Sequence, residues 1–286
     1  MRIKLLLLFF LFTAFHCMKL TAQENIWAKT SCTKRVWMTA FPAEGKRNAT
    51  AVVVCPGGSY FWHDMNTEGT EVARWLQRQG FAAFVLRYRT AYVPAFITHF
   101  RYLFRGNRYP DAQNDLRQAI RYIKANARRY GIDVTHIGAM GFSAGGHLVM
   151  SGAEFFDKTD RPAFIAAIYP VVTMTAPCVH KRSRRALLGE SRKQNKALRD
   201  SLSLEKHVPA NCPPVFLVNC TDDPIVDYRN SILLDSALTA NRIPHKYIRY
   251  QTGGHGFGAS AVKGTAECRT WRKEFVDWVK RYIAKE

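Results

Sequence analysis

From about residue 35 onward, short apolar runs alternate with longer stretches in which apolar residues recur every three or four positions. The short runs cover 35–41, 51–55, 81–88, 137–142, 164–172, 215–220 and 245–250, and they predict strands. The longer stretches cover 68–79, 110–130, 144–155, 228–240 and 265–284, and they predict helices. Val72, Trp75 and Leu76 share a face in the first of these, which stops at Gly80. Leu116, Ile120 and Ile123 do so in the second, with Pro110 suited to its first turn and Gly131 to its end. The last places Trp271, Phe275, Trp278 and Tyr282 on one stripe. Strands alternating with helices of this length predict an α/β fold, its mostly parallel sheet covered on both faces. Two stretches break the rhythm. Residues 91–109 are aromatic and basic (Tyr92, Phe96, Phe100, Tyr102 and Phe104, with Arg101, Arg105 and Arg108), and 174–211 are basic and polar. Both fall between core elements, so they read as insertions into one domain over 23–286.

The first 22 residues stand outside this pattern. A basic head (Arg2, Lys4), an apolar run from Leu5 to Phe15 and the small residue Ala22 predict a signal peptide and a secreted or periplasmic protein. An uncleaved anchor is the weaker alternative. Lipidation at Cys17 is weaker still, because Phe15 and His16 precede it. No later stretch predicts a membrane span. With 47% hydrophobic and 22% charged residues, the 286-residue chain is neither disordered nor fibrous. The formal charge is +20, and +17 once Arg2, Lys4 and Lys19 are removed. That field favours anionic partners such as acidic glycans. Export and the lack of a zinc-finger or RNA-binding signature argue against nucleic acid. Seven cysteines become six beyond Cys17, with no C-x-x-C pair that would point to zinc or thioredoxin chemistry. Cys55 and Cys220 end apolar runs and read as buried thiols. Cys178 and Cys212 form a candidate bridge.

The chemistry concentrates in three segments. Gly141-Phe142-Ser143-Ala144-Gly145 fits G-x-S-x-G, between an expected strand and an expected helix, so that a tight turn raises the Ser143 hydroxyl above the sheet edge. A serine nucleophile needs a base, and the base needs an orienting acid. Asp222 and Asp223 follow the strand ending at Cys220, on the rim where Ser143 is expected. By residue chemistry alone either one serves. His255 lies among Gly253, Gly254, Gly256 and Gly258 in a loop before the last helix, and no other histidine has such a setting. His147, one turn beyond Ser143, reads as a packing residue. The oxyanion of acyl transfer needs donors. The Ala144 amide supplies one, and the amides of Gly58 and Ser59, in the turn after strand 51–55, supply the others.

With Pro56-Gly57-Gly58-Ser59-Tyr60, Gly141 to His147, Asp222 to Val226 and Gly253 to Phe257, the chain resembles the α/β-hydrolases. Within them it resembles the acetyl esterase/lipase-like group that includes exported bacterial carbohydrate esterases. The resemblance spans about residues 35–284. In the related pattern the catalytic acid lies three residues before a valine, which selects Asp223 over Asp222. Two departures stand out. Pro56 and Ser59 replace the first and last residues of the frequent H-G-G-G loop, and Asn219-Cys220 stands where H-G is frequent. The resemblance implies a serine ester hydrolase, needing no metal or cofactor, that removes acetyl groups from a polysaccharide or smaller ester. Feruloyl ester, lipid or peptide hydrolysis on the same triad are the alternatives, and a non-catalytic glycan-binding module is a further one. Tyr60 and Trp62 are candidates for lining the acyl pocket. Arg101 and Arg105, with the aromatic residues around them, are candidates for glycan contact, or for one face of a packed amphipathic helix.

Overall fold

The computed structural model describes residues 22–30, 36–45, 48–97 and 106–283. Eight strands form one sheet: β1 (Gln23–Asn25), β2 (Trp37–Phe41), β3 (Ala51–Cys55), β4 (Ala82–Arg87), β5 (Ile137–Phe142), β6 (Ile165–Ile168), β7 (Val215–Cys220) and β8 (His245–Tyr250). Their order is β1-β2-β4-β3-β5-β6-β7-β8. β1 with β2 and β2 with β4 run antiparallel, while every pair from β4 to β8 is parallel. The expectation of a mostly parallel α/β sheet therefore holds. β1 is too short and polar to show as an apolar run.

The helices are α1 (Glu71–Arg78), α2 (Tyr92–Ile97), α3 (Asp111–Ala125), α4 (Ala127–Tyr130), α5 (Ala144–Phe155), α6 (Lys181–Leu188), α7 (Lys196–Ser201), α8 (Arg229–Ala240) and α9 (Trp271–Ile283). The expected helix over 68–79 divides into a wide turn, Met65–Thr70, and α1. The expected helix over 110–130 divides at Asn126 into α3 and α4.

Successive residues of a strand face opposite sides of a sheet, and a doubly covered sheet buries both. β3 shows this directly. Val53 and Cys55 join the core beneath α3 and α5, and Val52 and Val54 join the core beneath α1 and α9. The aromatic stripe of α9 closes the second core: Phe275 lies 5.6 Å from Phe216 and 6.0 Å from Trp75 between ring centres. A phenylalanine buried this fully contributes about 1.5–3 kcal/mol. Among the described residues no helix is long and apolar enough to cross a membrane. The layered sheet brings the C-terminal ends of β3, β5, β6, β7 and β8 to one rim, where ligands of open α/β sheets bind.

Candidate active site

β5 ends at Phe142 and α5 begins at Ala144, leaving Ser143 to make the turn alone. Its φ of 52° and ψ of −116° lie where non-glycine residues are strained. The turn is held because the Ser143 amide donates to Ile168 O at 3.0 Å and the Ser143 carbonyl accepts from Val171 N at 3.1 Å. Steric limits explain the flanking glycines. A Cβ on Gly145 would stand 2.0 Å from Cys55 O, and one on Gly141 would stand 2.0 Å from Gly145 O. The start of α5 thus lies directly against the end of β3, and its first amides point at the rim.

β7 delivers the acid. The Asp223 side chain is 1% exposed. Its Oδ1 accepts from the amides of Ile225 at 2.8 Å and Val226 at 2.9 Å, and its Oδ2 lies 2.6 Å from His255 Nδ1. Asp222 turns the other way and accepts from the amides of Gly254 at 2.9 Å and Gly253 at 3.2 Å. The two neighbours therefore divide the work: Asp223 meets the imidazole, and Asp222 holds the glycine turn that carries it. A carboxylate on Nδ1 sets the tautomer with the proton there, leaving the Nε2 lone pair available.

A buried acid that the sequence reading passed over ties the loops together. Glu68 is 2% exposed and sits in the wide turn before α1. Its Oε2 accepts from the Gly57 amide at 2.6 Å, and its Oε1 accepts from the Tyr169 hydroxyl at 2.9 Å. The same hydroxyl accepts from Gly258 N at 3.0 Å, and the Tyr169 ring lies 4.5 Å from the His255 ring. One carboxyl group is thereby bonded both to the loop after β3 and, through Tyr169, to the histidine loop. Burial raises its pKa, against the pull of the His255 charge and of its two donors. With Gly57 engaged, the next two amides, those of Gly58 and Ser59, find no acceptor among the described residues. Glu68 was hidden in the sequence because an acid at the start of a helix is ordinary, and its partners lie 11 and 101 residues away.

His180, in the 174–211 insertion, was also passed over. Its pKa is lowered to about 4, chiefly by burial, then by Arg182 and by the nearby His255, so it stands beside the same rim as a neutral imidazole.

Other expected residues fall elsewhere. Tyr60 is 2% exposed. Its hydroxyl lies 2.9 Å from Nδ1 of the buried His147, whose Nε2 is 2.9 Å from Leu202 O, so Tyr60 anchors its loop to α5. Trp62 is half-buried, stacks on Phe61 and meets Phe96 edge-on at 5.4 Å. Arg101 and Arg105 lie outside the described residues. Arg108 donates to Ser191 Oγ at 3.1 Å. The expected Cys178–Cys212 bridge is corrected: both are free thiols. The Cys178 carbonyl accepts from Asn230, in the first turn of α8 beyond the rim, whereas Cys212 precedes β7 at the opposite end of that strand. The sulfurs of Cys220 and Cys268 both lie against Gly253.

A sheet of this order, with a strained serine between strand and helix and an Asp–His pair on the adjoining loops, defines the α/β-hydrolase class. Residues 39–238 match the BD-FAE family, and the chain belongs to that family. It is 33% identical over 216 residues to endo-1,4-beta-xylanase B of Butyrivibrio fibrisolvens, covering 72% of this chain and 32% of that protein. It is 30% identical over 210 residues to an acetylxylan esterase of Xylanibacter ruminicola, covering 73% and 41%. The chain thus spans about a third of the one relative's length and about two-fifths of the other's. Among solved structures it superposes on an acetyl ester-xyloside bifunctional hydrolase from Caldicellulosiruptor lactoaceticus, with TM-score 0.77, 26% identity and coverage of 92% and 96%. The carboxylesterase Cest-2923 of Lactobacillus plantarum gives TM-score 0.72 and 20% identity over 91% and 97%. Fold and family together place the chain among the α/β-hydrolases, in the BD-FAE family.

Proposed function

We propose that the protein is an exported serine esterase that removes acetyl groups from a xylan-type polysaccharide through Ser143, His255 and Asp223. The observation that carries this reading is the 2.6 Å contact of His255 Nδ1 with the buried Asp223 carboxylate, on the same rim as a serine held in a strained turn. The names borne by the acetylxylan esterase and xylanase relatives support the substrate class.

In this reading His255 Nε2 takes the Ser143 proton as Oγ attacks the ester carbonyl. The tetrahedral oxyanion accepts from the amides of Ala144, Gly58 and Ser59. Collapse breaks the bond to the sugar oxygen, which leaves with the proton from His255, and the acetyl group stays on Ser143. Water then gives a proton to His255 and attacks the acyl carbonyl, and acetate departs as Ser143 recovers its hydrogen. Asp223 stabilises the imidazolium in both halves.

The test compares wild type with Ser143→Ala on p-nitrophenyl acetate and on acetylated xylan. The variant is expected to lose at least about a thousandfold in kcat. Wild type is expected to release acetate from xylan faster than ferulate from feruloylated arabinoxylan. An equally active variant refutes the serine mechanism, and a preference for ferulate refutes the acetyl assignment.

A further inference from the structure

One cleft beside the site is unexplained by the reaction. It encloses about 440 Å³, in the range of small-ligand sites, and is lined by Trp37, Trp62, His63, Arg87, Tyr92 and Val93 among others. Its floor is the segment that continues from the proposed oxyanion loop: the amides of Phe61 and Trp62 both donate to Gly58 O, at 2.9 and 3.1 Å. Tyr88, another lining residue, donates its hydroxyl to Pro56 O at 2.6 Å.

Three features of the lining require a ligand of one kind. Trp37, Tyr92 and Val93 are 39%, 55% and 47% exposed, so three of the seven large apolar side chains exposed among the described residues gather at this one place. Trp37 pairs with Arg87 across β2 and β4, so an aromatic face and an exposed guanidinium stand side by side on one face of the sheet. The third feature is His63. Its Nε2 is buried and has no hydrogen-bond partner among the described residues. Burial and the Arg87 charge keep the imidazole neutral. Buried polar atoms are nearly always paired, and an orphan in a cleft marks where a ligand supplies the partner.

We infer that this cleft is a saccharide subsite, in which one pyranose ring of the ester-bearing polysaccharide stacks on Trp37 and Tyr92 and pairs a hydroxyl with His63 Nε2. A pyranose offers both parts of that match: C–H faces for the aromatic rings, and hydroxyl groups that pair with the imidazole and accept from the Arg87 guanidinium. An acyl chain would need an unbroken apolar lining, which His63, Arg87 and Thr90 interrupt. The inference rests on the esterase reading for the identity of the polymer, but the cleft itself binds whether or not Ser143 reacts.

The experiment titrates the Ser143→Ala protein with xylotetraose by calorimetry and by affinity electrophoresis in deacetylated xylan. Saturable binding is expected, weakened about tenfold by Trp37→Ala and by Tyr92→Ala when each is added to Ser143→Ala. With Ser143 restored, either variant should lose about tenfold more in kcat/KM on acetylated xylan than on p-nitrophenyl acetate. Two variants on separate elements guard against one of them misfolding. No binding of xylotetraose, or an equal loss on polymer and small ester, overturns the subsite and leaves the esterase standing. Hydrolysis that survives Ser143→Ala overturns the esterase reading, and the titration still decides the cleft.

Discussion

Replacing Glu68 by glutamine tests how the two loops of the site are held. The carboxyl group accepts from the Gly57 amide at 2.6 Å and from the Tyr169 hydroxyl at 2.9 Å. Glutamine keeps one oxygen acceptor and turns the other into a donor. If the NH2 faces Gly57, two donors confront each other. If it faces Tyr169, that hydroxyl, already accepting from Gly258 N, loses the acceptor for its own hydrogen. Either way one buried donor is left without a partner, a cost of about 1–3 kcal/mol. For a domain of this size that is a fall in Tm of about 2–10 °C. The catalytic effect should be larger than such a loss of stability implies, because Gly57 precedes the proposed donors Gly58 and Ser59. A Cβ on Gly57 would stand 2.7 Å from Glu68 Oε2 and 2.8 Å from Ser143 Cβ, so carboxyl, loop and serine converge there and a displaced loop carries the donors with it. Loss of one oxyanion donor costs about 10²–10³ in kcat.

The assay is p-nitrophenyl acetate turnover at temperatures well below the variant's Tm, with Tyr169→Phe as companion. Tyr169→Phe strips the Gly258 amide of its acceptor and leaves Gly57 engaged, so it should depress kcat less than Glu68→Gln. A Glu68→Gln enzyme with wild-type kcat, prepared alongside an inactive Ser143→Ala, would refute the idea that this carboxyl positions the oxyanion loop.

Other predictions are simpler. Asp223→Asn should lower kcat about 10⁴-fold, because the amide either presents its own N–H to His255 Nδ1 or favours the wrong tautomer. Asp222→Asn should cost far less, since its oxygens only hold the Gly253–Gly254 turn; equal losses in pre-steady-state acylation rates would reverse the assignment. Gly145→Ala should abolish soluble folded protein, because its Cβ meets Cys55 O at 2.0 Å and neither backbone can move away; a well-folded variant by circular dichroism would contradict the close approach of α5 to β3. His147 is fully buried with its pKa lowered to about 4 by burial, against an ordinary value of 6.5. The unfolded chain therefore binds the extra proton first as pH falls, so this residue's contribution is present above pH 6.5 and is lost on the way down to pH 4. The loss is of order 3 kcal/mol, and urea melts between pH 7 and 4.5 should show a shallower slope for His147→Gln than for wild type.

The alternation of strands and helices was legible in the chain because it depends on local periodicity. The limits of β3, β5, α5, β7 and β8 coincide with apolar runs and stretches bounded by glycine, proline or acidic turns. The strained turn at Ser143 and the loop carrying His255 were legible for a related reason: a glycine-flanked serine between strand and helix, and a histidine in a glycine loop, are local patterns. Four arrangements depend on distant segments meeting. Asp222 and Asp223 are equivalent in composition; the resemblance selects Asp223, and the approach of the 253–258 loop sends it to His255 and Asp222 to the glycine amides. Tyr60 follows the proposed oxyanion residues directly, and the packing of α5 against its loop pairs its hydroxyl with His147. Glu68 and Tyr169 are 101 residues apart, and Trp37 and Arg87 meet only because β2 pairs with β4. A hydrogen bond or a cross-strand pair depends on where the backbone brings two groups, and that placement follows from burying both faces of the sheet at once rather than from any neighbourhood along the chain.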